Sequence, residues 1–167
     1  FKEIKDKKEL KIMSVGCGPC TELAAVDYLK EQGVLHYEKL QYRGIDPLEG
    51  VWKHIWNDVR EYYGDGIQFY PKDILQLVDI IVKHSWVPDV LIFQYVFSDM
   101  YKHSDEEEII QFINKLADFL NSYEEKSIYI LCNDINLTKS KGGGREFFDI
   151  LESKINKPKI VKKRHFN

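Results

Sequence analysis

The sequence predicts an α/β fold: an open, doubly wound, mostly parallel sheet with helices on both faces. Three observations carry that expectation. Short apolar runs alternate with stretches of helical periodicity along the whole chain, the pattern of successive βα units. The first run feeds a turn rich in small residues, SVGCGPCTEL at 14–23, where a strand should hand over to a helix. The fourth, VPDVLIFQYVF at 87–97, is apolar almost without interruption, as a central strand covered on both faces would be.

Each element has its own justification. KIMSV (11–15) is short, apolar and bounded by Gly16, so it reads as a buried strand. TELAAVDYLKEQG follows with Glu22 in its first turn and Gly33 as its stop, which predicts a helix. LQYRGID (40–46) is the second strand; Val51, Trp52, Ile55, Trp56 and Val59 then recur at helical spacing up to Gly64. IQFYP is the third strand and DILQLVDIIVKH the third helix. After the fourth strand, Ser104 and Glu107 have the spacing of a capping box. The helix it opens carries Ile109, Phe112, Ile113, Leu116, Phe119 and Leu120 on one side. KSIYILCND (126–134) is the fifth strand, REFFDILESKI the fifth helix after a glycine run at 142–144, and PKIVKKRHF a last strand.

Composition narrows the classes of function. With 167 residues, 44% hydrophobic and 31% charged, the chain is expected to form a single domain over residues 1–167. A net charge of −3 and a pI near 6.0 give no footprint for a polyanion, so net charge supports no nucleic-acid partner and excludes none. No apolar run approaches the roughly 18 residues of a membrane span, and FKEIKDKKELK is no signal peptide. A cytoplasmic protein with no membrane partner is therefore expected. The chain opens on Phe1, and the expectation is that terminal segments of a longer protein are missing from it. Its three cysteines make no disulfide framework.

The turn at 14–23 admits two readings. Cys17-Gly18-Pro19-Cys20 has the form of a redox C-G-P-C, whereas Gly16-Cys17-Gly18 has that of a nucleotide-binding glycine loop. Redox chemistry calls for an accessible thiol of lowered pKa, which spacing alone does not supply. One C-x-x-C also gives only two of the four ligands of a structural zinc, and Cys132 lies on a distant strand, so no metal centre is expected. The glycine reading has downstream support, because a nucleotide-binding βαβ unit should end its second strand in an acid that accepts ribose hydroxyls. Asp46, followed by Pro47, stands there; as part of an Asp-Pro pair it would otherwise be an ordinary turn residue.

With the loop VGCGPCT at 15–21 and Asp46 in place, the chain resembles the class I S-adenosylmethionine-dependent methyltransferases, which have a Rossmann-like fold. That family's loop has the form acid-x-Gly-x-Gly-x-Gly; here Ser14 stands in the place of the acid and Cys20 in that of the third glycine. A side chain at Cys20 requires either a negative φ or a tolerated left-handed turn. The resemblance implies S-adenosylmethionine as cofactor, held by Gly16, Cys17 and Gly18, by Asp46 with Pro47, by Asp73 and Ile74 after the third strand, and by Gln94 and Tyr95 at the end of the fourth. It also implies seven strands, the seventh antiparallel, of which at most six can be placed here. NAD-dependent dehydrogenases share the loop and the second-strand acid but favour Gly-x-Gly-x-x-Gly, and position 21 is Thr.

Methyl transfer from a sulfonium is an in-line displacement with a good leaving group, so the protein mainly aligns the reactants and excludes water. No compulsory catalytic residue is implied, and none is assigned. After the fourth strand the chain reads QYVFSDMYKH, without the Asn/Asp-Pro-Pro-aromatic motif of enzymes that methylate base amines. Asp99, Tyr101 and His103 are candidate general bases, but are expected in a solvated loop. Asn133 and Asp134 close the fifth strand, as acceptor-facing or turn residues. Trp52 and Trp56, with His54, have the spacing of core residues rather than of a stacking platform. The basic tail at 157–165 is expected to be the solvated flank of an edge strand rather than an RNA contact. The acceptor, whether small molecule, RNA or protein, is not fixed by the sequence. The alternatives to methyl transfer are a binding module that holds S-adenosylmethionine without turnover, a C-G-P-C thiol oxidoreductase and a dinucleotide oxidoreductase.

Overall fold

The computed structural model describes residues 2–123 and 126–156. The run PKIVKKRHF, expected as a last strand, lies wholly outside them, as does the basic tail at 157–165. By internal contacts the chain divides into two compact units, residues 1–94 with 127–132, and residues 95–126 with 133–167.

The first unit holds the sheet. A one-turn helix α1 (Lys2–Lys5) leads into β1 (Asp6–Val15), followed by α2 (Thr21–Glu31), β2 (His36–Ile45), α3 (Glu49–Tyr63), β3 (Ile67–Tyr70), α4 (Leu77–Lys83) and β4 (Val90–Gln94). β5 (Tyr129–Asn133) completes it, its last residue falling in the second unit. The five parallel strands lie in the order β3-β2-β1-β4-β5, the open α/β arrangement that the sequence predicts. β1 runs parallel to both β2 and β4, with Ser14 opposite Gly44 on one side and Ile92 on the other.

Because strand side chains alternate between faces, this register sorts the core. Leu10, Ile12, Tyr42, Ile67, Phe69, Val90 and Ile92 share one face and pack with Leu23 and Val26 of α2 and Trp56 of α3. Gln41 and Arg43 point the other way, toward Trp86 beyond the end of α4: the indole Nε1 donates to Gln41 Oε1 (2.5 Å), and the guanidinium lies 4.3 Å from the ring centroid. Helices thus cover both faces. β1 and β2 begin earlier than the apolar runs suggest because their first halves are charged and pair with each other, Glu9 opposite Lys39 with an ion pair of 3.4 Å. At the start of β4 the buried Asp89 accepts from Lys7 Nζ (3.1 Å) and from the Lys11 amide (2.9 Å), fastening the strand to β1.

The second unit contains α5 (Val96–His103), α6 (Glu106–Asn121) and α7 (Arg145–Lys154). Its core gathers Phe97, Ile109, Phe112, Ile113, Leu116, Phe147 and Leu151, all buried, with Phe97 edge-on to Phe148 at 4.6 Å. The expected strand 87–97 is corrected here. It ends at Gln94, Tyr95 takes a left-handed conformation (φ 56°), and α5 begins at Val96. Val96, Phe97 and Met100 are buried at helical spacing, and a continuous apolar run does not distinguish that pattern from a strand. Asp99, Tyr101 and His103 accordingly sit on a helix instead of a loop. The capping box is shifted by one residue: the Asp105 side chain caps α6 while Glu108 returns to the Asp105 amide at 3.1 Å. Gly143 and Gly144 are buried, and a Cβ on Gly144 would lie 2.4 Å from the Phe97 carbonyl carbon, so this glycine permits a close backbone approach.

Candidate functional site

The turn between β1 and α2 is built by three left-handed residues. Gly16 (φ 66°) and Gly18 (φ 45°) adopt that conformation at no Cβ cost, and Cys20 (φ 61°) adopts it as the residue that opens α2. The left-handed option open to Cys20 is therefore the one the chain takes. The Gly16 and Cys17 amides both donate to the Ile45 carbonyl, at 2.9 and 3.3 Å, so the loop leans on the end of β2. Cys20 N–H then closes a turn onto Cys17 O at 2.8 Å.

Asp46, at the end of β2, is where the second strand's acid is expected, and it is buried. One carboxylate oxygen accepts from Gly18 N–H at 3.0 Å and the other from Leu48 N–H at 2.9 Å. Each oxygen keeps acceptor capacity beyond those bonds. The Asp46 amide donates to Tyr70 O (3.2 Å), linking the ends of β2 and β3. Pro47 is exposed beside it.

The tryptophans of α3 belong to this loop as well as to the core. Trp56 Nε1 donates to Gly18 O at 2.9 Å, and its ring stacks on Phe69 with centroids 4.8 Å apart. Trp52 borders Gly18, a Cβ on which would lie 3.8 Å from the indole. His54 is exposed.

The thiols are packing groups. Cys17 and Cys20 are both buried and free. Cys17 Sγ fills the space over Gly44, where any Cβ would meet it at 2.6 Å. Its hydrogen bond with Cys20, burial, and the nearby Cys20, Asp46 and Glu22 push the Cys17 thiol well above its ordinary value. That is the opposite of what a redox C-G-P-C requires.

Sequence reasoning did not single out a polar bridge beside this loop. Glu22, the second residue of α2, accepts from Tyr42 Oη at 2.5 Å through one oxygen and from Gln94 Nε2 at 2.7 Å through the other. Burial and the Glu22 carboxylate hold the Tyr42 phenol well above its ordinary value, so it remains a donor. Ser14 is fully buried, and its hydroxyl has no partner among the described residues. The signals available in the sequence were a tyrosine within an otherwise apolar strand face and an acid in the first helical turn.

The structure thus gathers Gly16, Cys17, Gly18 and Asp46, and ties Gln94 to the same helix start through Glu22. Asp73 is exposed and occupied in its own turn, accepting from Leu75 N–H at 2.8 Å, while Ile74 is buried. Tyr95 belongs to the second unit and is 55% exposed. Among the described residues no helix is long and apolar enough to cross a membrane, and no three His, Cys, Asp or Glu side chains are grouped to hold a metal.

No family model matches the sequence, and no curated protein matches it. Among solved structures the chain is similar to the bifunctional kinase-methyltransferase WbdD, with 15% identity and a TM-score of 0.40. That match takes in 66% of this chain and 22% of the other, so this chain corresponds to a minor part of that protein.

Proposed function

We propose that the first unit binds S-adenosylmethionine at the Gly16–Cys20 loop and that the protein transfers its methyl group to an acceptor. The observation that carries this reading is the bond from Gly18 N–H to Asp46. It joins a left-handed glycine turn to the acid at the next strand end, the pairing a ribose-binding βαβ unit requires. The residues fit the cofactor in two further respects. The orphaned hydroxyl of Ser14 offers an unused polar group beneath the loop, and α2 opens without a side-chain cap on its first turn, which leaves donors of the kind that hold polar ligands.

Bound there, S-adenosylmethionine supplies an activated methyl on a sulfonium. Held by the Gly16–Cys20 loop and Asp46, it would supply that methyl for direct displacement onto an acceptor, whose proton, where it carries one, would pass to solvent or a base. The chain's part is to orient: Asp46, whose oxygens keep acceptor capacity, fixes the nucleoside side, and Gln94 stands at the end of the neighbouring strand. A binding module without turnover is the second reading, favoured by Ser14 in the place of the loop's acid, Cys20 in that of its third glycine, and the absence of an assigned catalytic residue.

Calorimetric titration with S-adenosylmethionine, S-adenosylhomocysteine and NAD tests the first point. Both adenosyl ligands are expected to bind saturably and NAD not to bind, with affinity for both falling at least about tenfold in Asp46→Asn. Absence of binding by either adenosyl ligand sinks the proposal. Formation of S-adenosylhomocysteine across a panel of acceptors then separates transferase from binding module.

A further inference from the structure

We infer that Glu22 makes the glycine-loop site selective for a cationic ligand, its carboxylate receiving an ammonium or sulfonium centre. This rests on the reading that a small adenosyl ligand occupies the loop; it adds which side chain discriminates and by what charge.

The geometry comes first. Tyr42 on β2 and Gln94 at the end of β4 flank β1, and Glu22 spans the gap between them with one oxygen on each. Ser14 lies in register between Gly44 and Ile92, so its hydroxyl points to the same face as Tyr42 and Gln94. That hydroxyl is sealed from solvent and unpartnered among the described residues. A buried orphan of this kind is costly unless something meets it. Glu22 thus joins a phenol and an amide through its carboxylate, and an unmatched hydroxyl lies on the same face of the sheet.

Charge then decides the ligand class. Tyr42 and Gln94 are neutral donors: they orient the Glu22 carboxylate without neutralising it. Asp46, the second carboxylate of the site, is held by backbone amides alone. Among the described residues neither acid forms an ion pair. The charges felt by the thiol of Cys17, between them, are those of Cys20, Asp46 and Glu22, all of which oppose its ionisation. Two half-buried or buried anions without a counter-cation favour a ligand that brings the positive charge with it. They also oppose a pyrophosphate at the start of α2, which a dinucleotide would place there.

The test uses the whole chain and calorimetry with S-adenosylmethionine, S-adenosylhomocysteine and adenosine, on the wild type, Glu22→Gln and Glu22→Asp. Glu22→Gln is expected to weaken S-adenosylmethionine about tenfold or more while leaving adenosine unchanged, with Glu22→Asp recovering part of the loss. If only S-adenosylmethionine weakens, Glu22 faces the sulfonium; if S-adenosylhomocysteine weakens equally, it faces the ammonium. On the wild type, rising ionic strength is expected to weaken S-adenosylmethionine more than adenosine, a readout that does not depend on the variants folding. Unchanged affinity in a folded Glu22→Gln, or a salt response no greater than that of adenosine, overturns the inference. Failure of every adenosyl ligand to bind the wild type overturns the function proposed above and this inference with it.

Discussion

Two strand-to-helix turns, one inside the first unit and one where the chain passes into the second, use the same parts to different ends. In the first, β1 passes into α2 through left-handed Cys20; in the second, β4 passes into α5 through left-handed Tyr95. Each has an aspartate that accepts backbone amides of its own unit. Asp134 directs one oxygen at the amides of Phe97 and Ser98, at 2.9 and 3.1 Å, and so fills the first turn of α5. Asp46 instead takes Gly18, which lies before α2, and Leu48, which precedes α3. No carboxylate of the described residues caps the first turn of α2. One turn is thus closed by its acid, while the other is shaped by its acid and left open at the helix. That difference is why the ligand is assigned to the first.

The sharpest way to break this comparison is the same substitution at both acids. Asp46→Asn turns one of two separately engaged oxygens into an amide group facing a backbone N–H. It is expected to lower stability by about 2–3 kcal/mol, the cost of a buried donor left without an acceptor. Asp134→Asn keeps one oxygen for both helix amides and disturbs only the exposed Ile135 N–H bond, so its expected cost is below about 1 kcal/mol. Urea denaturation midpoints of the two variants decide between them. Equal losses would mean that the two aspartates do the same job.

The first turn also buries titratable groups, and pH probes them. Cys17 and Tyr42 are both raised from ordinary values of 9.0 and 10.0. Above about pH 9 the unfolded chain releases these protons while the folded chain retains them. The folded state then binds more protons than the unfolded state, so stability falls as pH rises. The stabilisation is fully present below pH 9 and declines by up to about 1.4 kcal/mol per pH unit for each group that has crossed its unfolded value. Tyr42→Phe is expected to flatten the decline above pH 10, and Cys17→Ala the decline above pH 9. Parallel stability curves for wild type and both variants would show that these groups titrate alike folded and unfolded.

Much of this was legible from the residues. The strand runs, the glycine turn and Asp46 are local signals, a short apolar run, small residues and an acid at a strand end, and the structure places the loop and the acid 3.0 Å apart. The helical periodicity of Ile109 to Phe119 likewise becomes a buried stripe. What was missed depends on contacts distant in sequence. Val96 and Phe97 look like the tail of the strand because they continue its apolar run, and only the turn at Tyr95 makes them the start of a helix. Glu22 looked like an ordinary first-turn acid, since nothing local indicates that Gln94, 72 positions on, meets its carboxylate. Asp73 matched an expected ligand position, but its side chain caps its own turn, a use available to any aspartate before a helix.

The smallest expected effect lies at the two left-handed positions themselves. A non-glycine residue there bears a conformational cost of about 1 kcal/mol that glycine avoids. Tyr95 is 55% exposed, so Tyr95→Gly removes that cost and sacrifices little packing; a gain of about 0.5 kcal/mol is expected after allowing for glycine's greater freedom in the unfolded chain. Cys20 is 3% exposed, packs in the core and directs Sγ toward Gly18 O at 3.6 Å. Cys20→Gly therefore relieves the same strain but loses a buried side chain worth about as much or more, and is expected to be neutral or destabilising. Opposite signs in thermal melts of the two variants would separate a thiol retained for packing from a tyrosine placed at a turn where glycine is the better fit. If Cys20→Gly stabilised as much as Tyr95→Gly, the core role given to the Cys20 thiol would be wrong.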